Sequence, residues 1–264
     1  MSTSNISARN CPSLFNRLYS VWYRHVKVYM TNFYSNAFPS FLEPLIFLAG
    51  VGLGLGKYIT TMDHLPYLVF LATGLLMTAP MFTASFECTY GTFIRLVYDK
   101  VYDGMLAAPI SVRSLFAGEI LFAGTKGFFL SFAVMTVMAA FNVLPLYQSW
   151  WAPFLGFFAA LMFASLSLFV VSFVNDLNNL NFWFTGFLSP MFFFSGVVFP
   201  VSQLPQKLRW AAEIFPLTHA VRLARLTVAR GSLETALLDV AYMLVLTVVT
   251  AVLAYVRLKK RLGA

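Results

Sequence analysis

Six long apolar stretches occupy about half of the chain, and the segments between them are too short to fold as separate domains. They cover 38–56, 66–86, 120–141, 152–174, 182–199 and 236–256. Crossing a hydrocarbon core about 30 Å thick takes about 20 helical residues, which these windows supply. None alternates polar and apolar residues as a barrel strand must, so each span is expected to be a helix whose backbone bonds internally. Composition agrees: charged residues are 11%, where a soluble domain carries roughly 25%. The expected fold is one all-α integral membrane domain over 1–264 with six transmembrane helices.

The first 37 residues hold Arg9, Arg17, Arg24 and Lys27 but no apolar core. No cleavable signal peptide is therefore expected, and the first span acts as its own insertion signal. Lys and Arg collect in cytoplasmic loops. The basic start, the loop cations Arg95, Lys100 and Arg113, and the tail cations Arg257, Lys259, Lys260 and Arg261 place both termini in the cytoplasm. Cys11 and Cys88 then fall on the reducing side, and no disulfide framework is expected. Lys207, Arg209, Arg222, Arg225 and Arg230 conflict with this count, because six crossings put their segment outside. Leu208, Trp210, Ile214, Phe215 and Val221 lie among them, so 200–235 is expected to form short helices dipping into the outer interface as a re-entrant region.

Residues 12–34 predict a different element. Leu14, Phe15, Leu18, Trp22, Val26, Tyr29, Met30 and Phe33 recur at helical spacing, opposite Asn16, Arg17, Ser20, Arg24, Lys27 and Thr31. A basic helix with a Trp-bearing apolar face suits the inner headgroup layer. The run Gly50-Val-Gly-Leu-Gly-Leu-Gly56-Lys57 imitates a phosphate loop, but its spacing is wrong by one and Tyr58 stands where Ser or Thr should be. Gly50/Gly54 and Gly52/Gly56 read instead as small-xxx-small pairs for helix packing. No nucleotide site or bound cofactor is expected on this chain.

The loop 87–113 carries the most functional information. A short helix stopped by Pro109, with Tyr102, Met105 and Leu106 expected to be exposed, would give a partner an apolar plug to grip. This loop, the Gly-rich end of the first span, and Ser195-Gly-Val-Val-Phe-Pro200 continuing through Leu204-Pro205 to Phe215-Pro-Leu-Thr-His-Ala-Val-Arg222-Leu-Ala-Arg225 resemble the membrane subunit of type 2 ATP-binding-cassette (ABC-2) exporters. The likeness covers nearly the whole chain, and the nearest branch looks like the nodulation protein J family, permeases for lipo-oligosaccharide export.

The resemblance implies a six-span half-transporter in a bacterial inner membrane that forms a homodimer and docks two separate ABC ATPase subunits, which hold the ATP and Mg. It implies a coupling helix near Arg95, Lys100, Tyr102, Asp103, Met105, Leu106 and Pro109. The implied cargo is amphipathic, a lipo-oligosaccharide, polysaccharide or lipid-linked saccharide; no nucleic acid is implied.

Further residues invite transport or gating roles. Lys126 follows Glu119 by seven residues, so both project from one face of the third span. An unpaired Lys near a helix centre costs about 2.5–3.5 kcal/mol and should find a carboxylate, a carbonyl or water. It reads either as a headgroup contact or gate, or as a structural ion pair or snorkelling side chain. Phe192, Phe193 and Phe194 read either as a pathway lining or as lipid-facing packing. Arg222 and Arg225 lie within the expected re-entrant region and invite such a transport or gating role as well. Glu43 reads as a helix-start or interfacial residue rather than a transport one, and Asn175, Asp176, Asn178, Asn179 and Asn181 as a polar turn rather than a binding site. His25, His64 and His219 are too dispersed to predict a metal. A stand-alone secondary transporter or channel, or a membrane enzyme acting on lipid-linked sugars, are the competing classes, and neither accounts for the helix before Pro109.

Overall fold

The structure is a computed structural model and describes residues 12–226, 228 and 233–263; Arg9, Cys11 and Arg230 lie outside them. Among the described residues five helices are long and apolar enough to cross a membrane: Phe33–Leu53, Tyr67–Tyr98, Val112–Ala140, Ala152–Val171 and Leu233–Arg261.

The chain opens with α1 (Leu14–Thr31), whose N-cap Ser13 accepts the Asn16 N–H at 3.3 Å. It is amphipathic as expected, and it rests on α5 (Val112–Ala140) through Val21, Trp22 and His25. A Cβ at Gly118 would lie 2.5 Å from Val21, so only glycine lets α1 come this close. Leu14, Phe15, Tyr19, Tyr23 and Met30 are left exposed along its outer side.

Helix α2 (Phe33–Phe47) continues through a π turn, Leu48–Leu53, into the glycine run. Gly52 faces the next helix, where a Cβ would stand 2.7 Å from Leu68, whereas Gly50 and Gly54 meet open space. Of the two expected packing pairs, only the one holding Gly52 is used within the chain. A two-residue hairpin, β1 (Thr61–Met62) and β2 (Leu65–Pro66), then turns on Asp63 and His64 with φ of 51° and 63°. Positive φ at both central residues matches the twist of paired strands.

Helix α3 (Tyr67–Phe86) is the most buried span. Helical backbone continues beyond it through the π turns Glu87–Gly91 and Ile94–Tyr98. This corrects the expectation that 87–113 is a loop: its non-helical parts are Asp99 and Lys100, the latter at φ 48°, and the stretch 107–111. Next come the short helix α4 (Val101–Leu106) and α5. After α6 (Leu146–Ser149), α7 (Ala152–Val171) packs on α5 through glycines. A Cβ on Gly156 would lie 2.0 Å from Ser131 Oγ, and one on Gly127 would lie 2.3 Å from the Ala160 Cβ. Such close backbones suit helices joined by van der Waals contact in lipid.

The fifth apolar window, 182–199, does not form one long helix. It breaks into α8 (Leu180–Trp183), a π turn (Phe184–Leu188) and α9 (Ser189–Phe194), and ends at Gly196 with φ +82°. Pro190 has no N–H to continue the ladder, and Ser189 Oγ donates to the Phe184 carbonyl at 2.9 Å, closing the wider turn. At 1.5 Å per residue the run 180–194 reaches only about 22 Å.

The segment 200–235 contains α10 (Gln206–Ile214) and α11 (Pro216–Leu226). Leu208, Trp210 and Ile214 point outward, whereas α11 is largely buried and packs on α3 and α12 (Leu233–Arg261). Leu237, Leu238, Val245, Val248 and Val252 of α12 remain exposed, the face a lipid-bounded helix presents. Near its end Arg257 lies 3.9 Å over the Phe173 ring, and Arg261 Nη1 donates to the Val171 carbonyl at 2.9 Å, capping α7.

Candidate functional site

Glu87 and Arg95 stand eight residues apart on the continued α3, about two turns and so on one face. Arg95 Nη1 meets Glu87 Oε1 at 2.7 Å, while Arg95 Nε and Nη2 reach Glu119 Oε1 of α5 at 3.0 and 2.9 Å. Lys126 Nζ meets the other Glu87 oxygen at 2.8 Å and sits 4.7 Å over the Tyr29 ring. The order Lys126–Glu87–Arg95–Glu119 thus alternates charge through the bundle. Lys126 does take a carboxylate, but it is Glu87; Glu119 is held by Arg95.

Helix α4 joins this chain through Tyr102, whose hydroxyl donates to Glu119. Burial, reinforced by the Glu119 charge, pushes the Tyr102 phenol well above its ordinary range and keeps it a donor. The structure corrects the expected exposure: Tyr102 and Met105 are buried and Leu106 is half-buried. The outward face of α4 and the turn after it is Asp103, Gly104, Ala107, Ala108 and Pro109, with Lys100 exposed just before. Met105→Glu would therefore disturb the fold before it disturbed any docking surface.

His25 of α1 stacks on Phe122 at 5.3 Å, with Nε2 3.9 Å from Glu119. Burial, helped by Arg95, pulls its pKa down to about 3. Glu119 is already occupied by Arg95 and Tyr102, so His25 stays neutral. With each carboxylate bound by a cation, the cluster can fix α1, α3, α4 and α5 to one another.

Glu87 and Lys126 also line a cavity of about 660 Å³ between α2 and α3, bounded by Glu43, Phe47, Phe82 and Phe192. Phe192 meets Phe47 edge-on at 5.3 Å. Phe193 is exposed, and neither it nor Phe194 lines this cavity. A second, more apolar hollow of about 510 Å³ lies beside α5 and includes Tyr29, Phe33, Phe38 and Phe129. In the polar turn, Asp176 caps the Asn178 N–H at 2.7 Å and Asn181 accepts the Tyr90 hydroxyl at 2.9 Å.

Arg222 and Arg225 sit at the opposite end. Arg222 meets both Glu213 oxygens at 2.6 Å and Asp239 at 3.1 Å, and Asp239 also meets His219 Nδ1 at 2.6 Å. Arg209 donates to the carbonyls of Leu204 and Ser202, and Arg225 to that of Gly196. Of the cations that upset the loop count, Arg209, Arg222 and Arg225 are thus tied to carboxylates and carbonyls of the chain itself.

The sequence did not mark His25, Glu213 and Asp239 as partners, nor Thr92, whose hydroxyl lies 3.4 Å from both Arg95 Nη2 and Glu119 Oε2, and it offered Glu87 only as the start of a loop. Glu87 and Arg95 could have been found from their two-turn spacing, given a helix that runs past Phe86. Among the described residues no group of His, Cys, Asp and Glu could hold a metal.

The ABC-2 type transporter family signature matches residues 16–228. Nodulation protein J of Sinorhizobium fredii is 30% identical over 210 residues, covering 78% of this chain and 79% of that protein. Nodulation protein J of Bradyrhizobium diazoefficiens is 28% identical over 260 residues, covering 97% and 95%. The inner membrane transport permease YadH of Escherichia coli is 18% identical over 204 residues, covering 77% and 79%. The chain therefore belongs to the ABC-2 type transporter family and is a multi-pass membrane permease, a transport subunit rather than an enzyme.

Proposed function

We propose that this permease is one half of an ATP-driven exporter of the bacterial inner membrane, with two copies docking two separate ABC ATPase subunits that hold ATP and Mg. Both termini are cytoplasmic in this reading. The run 180–194 completes six crossings as a short fifth span, and 200–235 forms the external re-entrant region. The cargo is amphipathic, a lipo-oligosaccharide, polysaccharide or lipid-linked saccharide.

The observation that carries the reading is the seat of α4. Its outward face is free for a partner, while Tyr102 on its inward face donates to Glu119. Through Arg95 and Glu87 that contact reaches Lys126, which lines the 660 Å³ cavity. A push on α4 therefore has a contiguous polar path to the cavity wall, and it can shift the permease only by as much as the two ATPase states differ in their binding to it. The basic residues Arg95, Lys100, Arg113, Arg257 and Arg261 at this end support a cytoplasmic position. The cavity, with charge at one end and Phe47, Phe82 and Phe192 in its wall, suits a cargo with a polar head and an apolar body.

Co-purification from native membranes tests this. Wild type should bring down an ATPase subunit, and Asp103→Lys with Ala107→Glu, both on the exposed face, should lose it without loss of fold. An ATPase retained by the double variant would contradict the assignment of this face.

A further inference from the structure

Far from α4, around the start of α3, one half-buried cation has no ion-pair partner among the described residues. Arg225 lies 3.6 Å over the Phe70 ring and donates to the carbonyls of Gly196 and Phe70. Among the described residues it forms no ion pair, and its Nε is buried without a hydrogen-bond partner. Ser195 is 1% exposed, and its Oγ likewise has no partner. Buried polar groups are almost always paired, and two orphans beside one another need a reason.

Both residues line one cavity of about 280 Å³, together with Ser202, Thr218 and Arg222, and with Asp63 exposed at its rim. Gly196 at φ +82° makes room for the guanidinium, since a Cβ there would stand 3.3 Å from Arg225 Nη1. Arg222 is already neutralised by Glu213 and Asp239. Arg225 is thus the cavity's one cation without an ion pair among the described residues, beside a hydroxyl with nothing to bond.

We infer that this cavity binds a single oxyanion, the phosphate or phosphate-ester group of a small molecule or lipid, with Arg225 and Ser195 as its donors. A planar guanidinium matches such a group, and a charge-assisted bond would satisfy what the fold leaves open. The volume admits a phosphate and a short ester, and Asp63 at the rim weakens binding without closing the site. The site stands whatever the cargo or membrane orientation.

The test uses the full chain in phosphatidylcholine nanodiscs, titrated calorimetrically with inorganic phosphate and, separately, with dihexanoyl phosphatidic acid. Saturable binding is expected. Arg225→Gln and Ser195→Ala should each weaken it at least about tenfold, the loss of a bond to a charged group. Asp63→Asn should tighten it about two- to fivefold through removal of a screened like charge. Ser195→Ala should leave the melting temperature unchanged, because its hydroxyl bonds nothing, which separates ligand loss from misfolding. A more than tenfold preference for phosphatidic acid would identify an ester-borne phosphate, and equal affinities a free anion. No saturable binding of either probe, or unchanged affinity in Ser195→Ala, would overturn the inference.

Discussion

At the α4 end, two carboxylates and two cations alternate and a phenol completes the chain; at the α11 end, Arg222 is fully answered while Arg225 and Ser195 are left open. Both ends bury charge, but only the first is closed by the chain's own residues. Removing one member of a closed set strands a buried partner. Removing a cation that has only carbonyl partners strands no charge. The first arrangement holds helices rigidly together, and the second keeps capacity for a ligand.

The sharpest break of this contrast is a matched pair of truncations. Arg95→Met should destabilise by about 3–5 kcal/mol, because Glu119 and Glu87 lose their shared cation. Arg225→Met should cost less, about 1.5–3 kcal/mol, the worth of hydrogen bonds from a charged donor. Thermal unfolding of both in one detergent gives the comparison, and equal losses would remove it. Tyr102→Phe keeps the ring but withdraws the donor from Glu119, a loss of about 1–3 kcal/mol. It should also raise proteolytic cleavage at Asp99–Lys100, where α4 would lift away.

Acid provides a graded version. His25 is held down to about 3 by burial, chiefly, and by Arg95 and Arg24, with Glu87 opposing. Its unfolded counterpart titrates near 6.5, so below that pH the unfolded chain binds the extra proton. Stability is then full above about 6.5 and falls with acidification by up to about 1.4 kcal/mol per pH unit. Between pH 6.5 and 5, His25→Gln should flatten that slope in urea unfolding; an unchanged slope would place the sensitivity elsewhere.

Much of this was legible in the residues. Apolar length gave the five long helices, the 3.6-residue period gave α1, and Pro109 with its flanks gave a short helix between two spans. The extent of α3 was not legible, because Glu87 ends the apolar window while its cost is met by Arg95 and Lys126, which only the fold brings near. Tyr102 and Met105 looked exposed since a six-residue helix has no periodicity to tell its two faces apart. The fifth window looked long enough because hydropathy does not register a missing N–H at Pro190 or the break at Gly196. The pairing of Arg222 was not legible because Asp239 lies on another helix and Glu213 on a separate short one.

The central claim is that the α4 end, and not the α11 end, receives the ATPase. The most direct measurement is cysteine cross-linking in native membranes, with Cys11 and Cys88 replaced by serine and single cysteines placed by Ala107→Cys, on the exposed turn after α4, and Trp210→Cys, on the exposed face of α10. The account predicts an ATPase adduct with the first variant and none with the second. An adduct at Trp210→Cys, or none at Ala107→Cys while the ATPase still co-purifies, would contradict it.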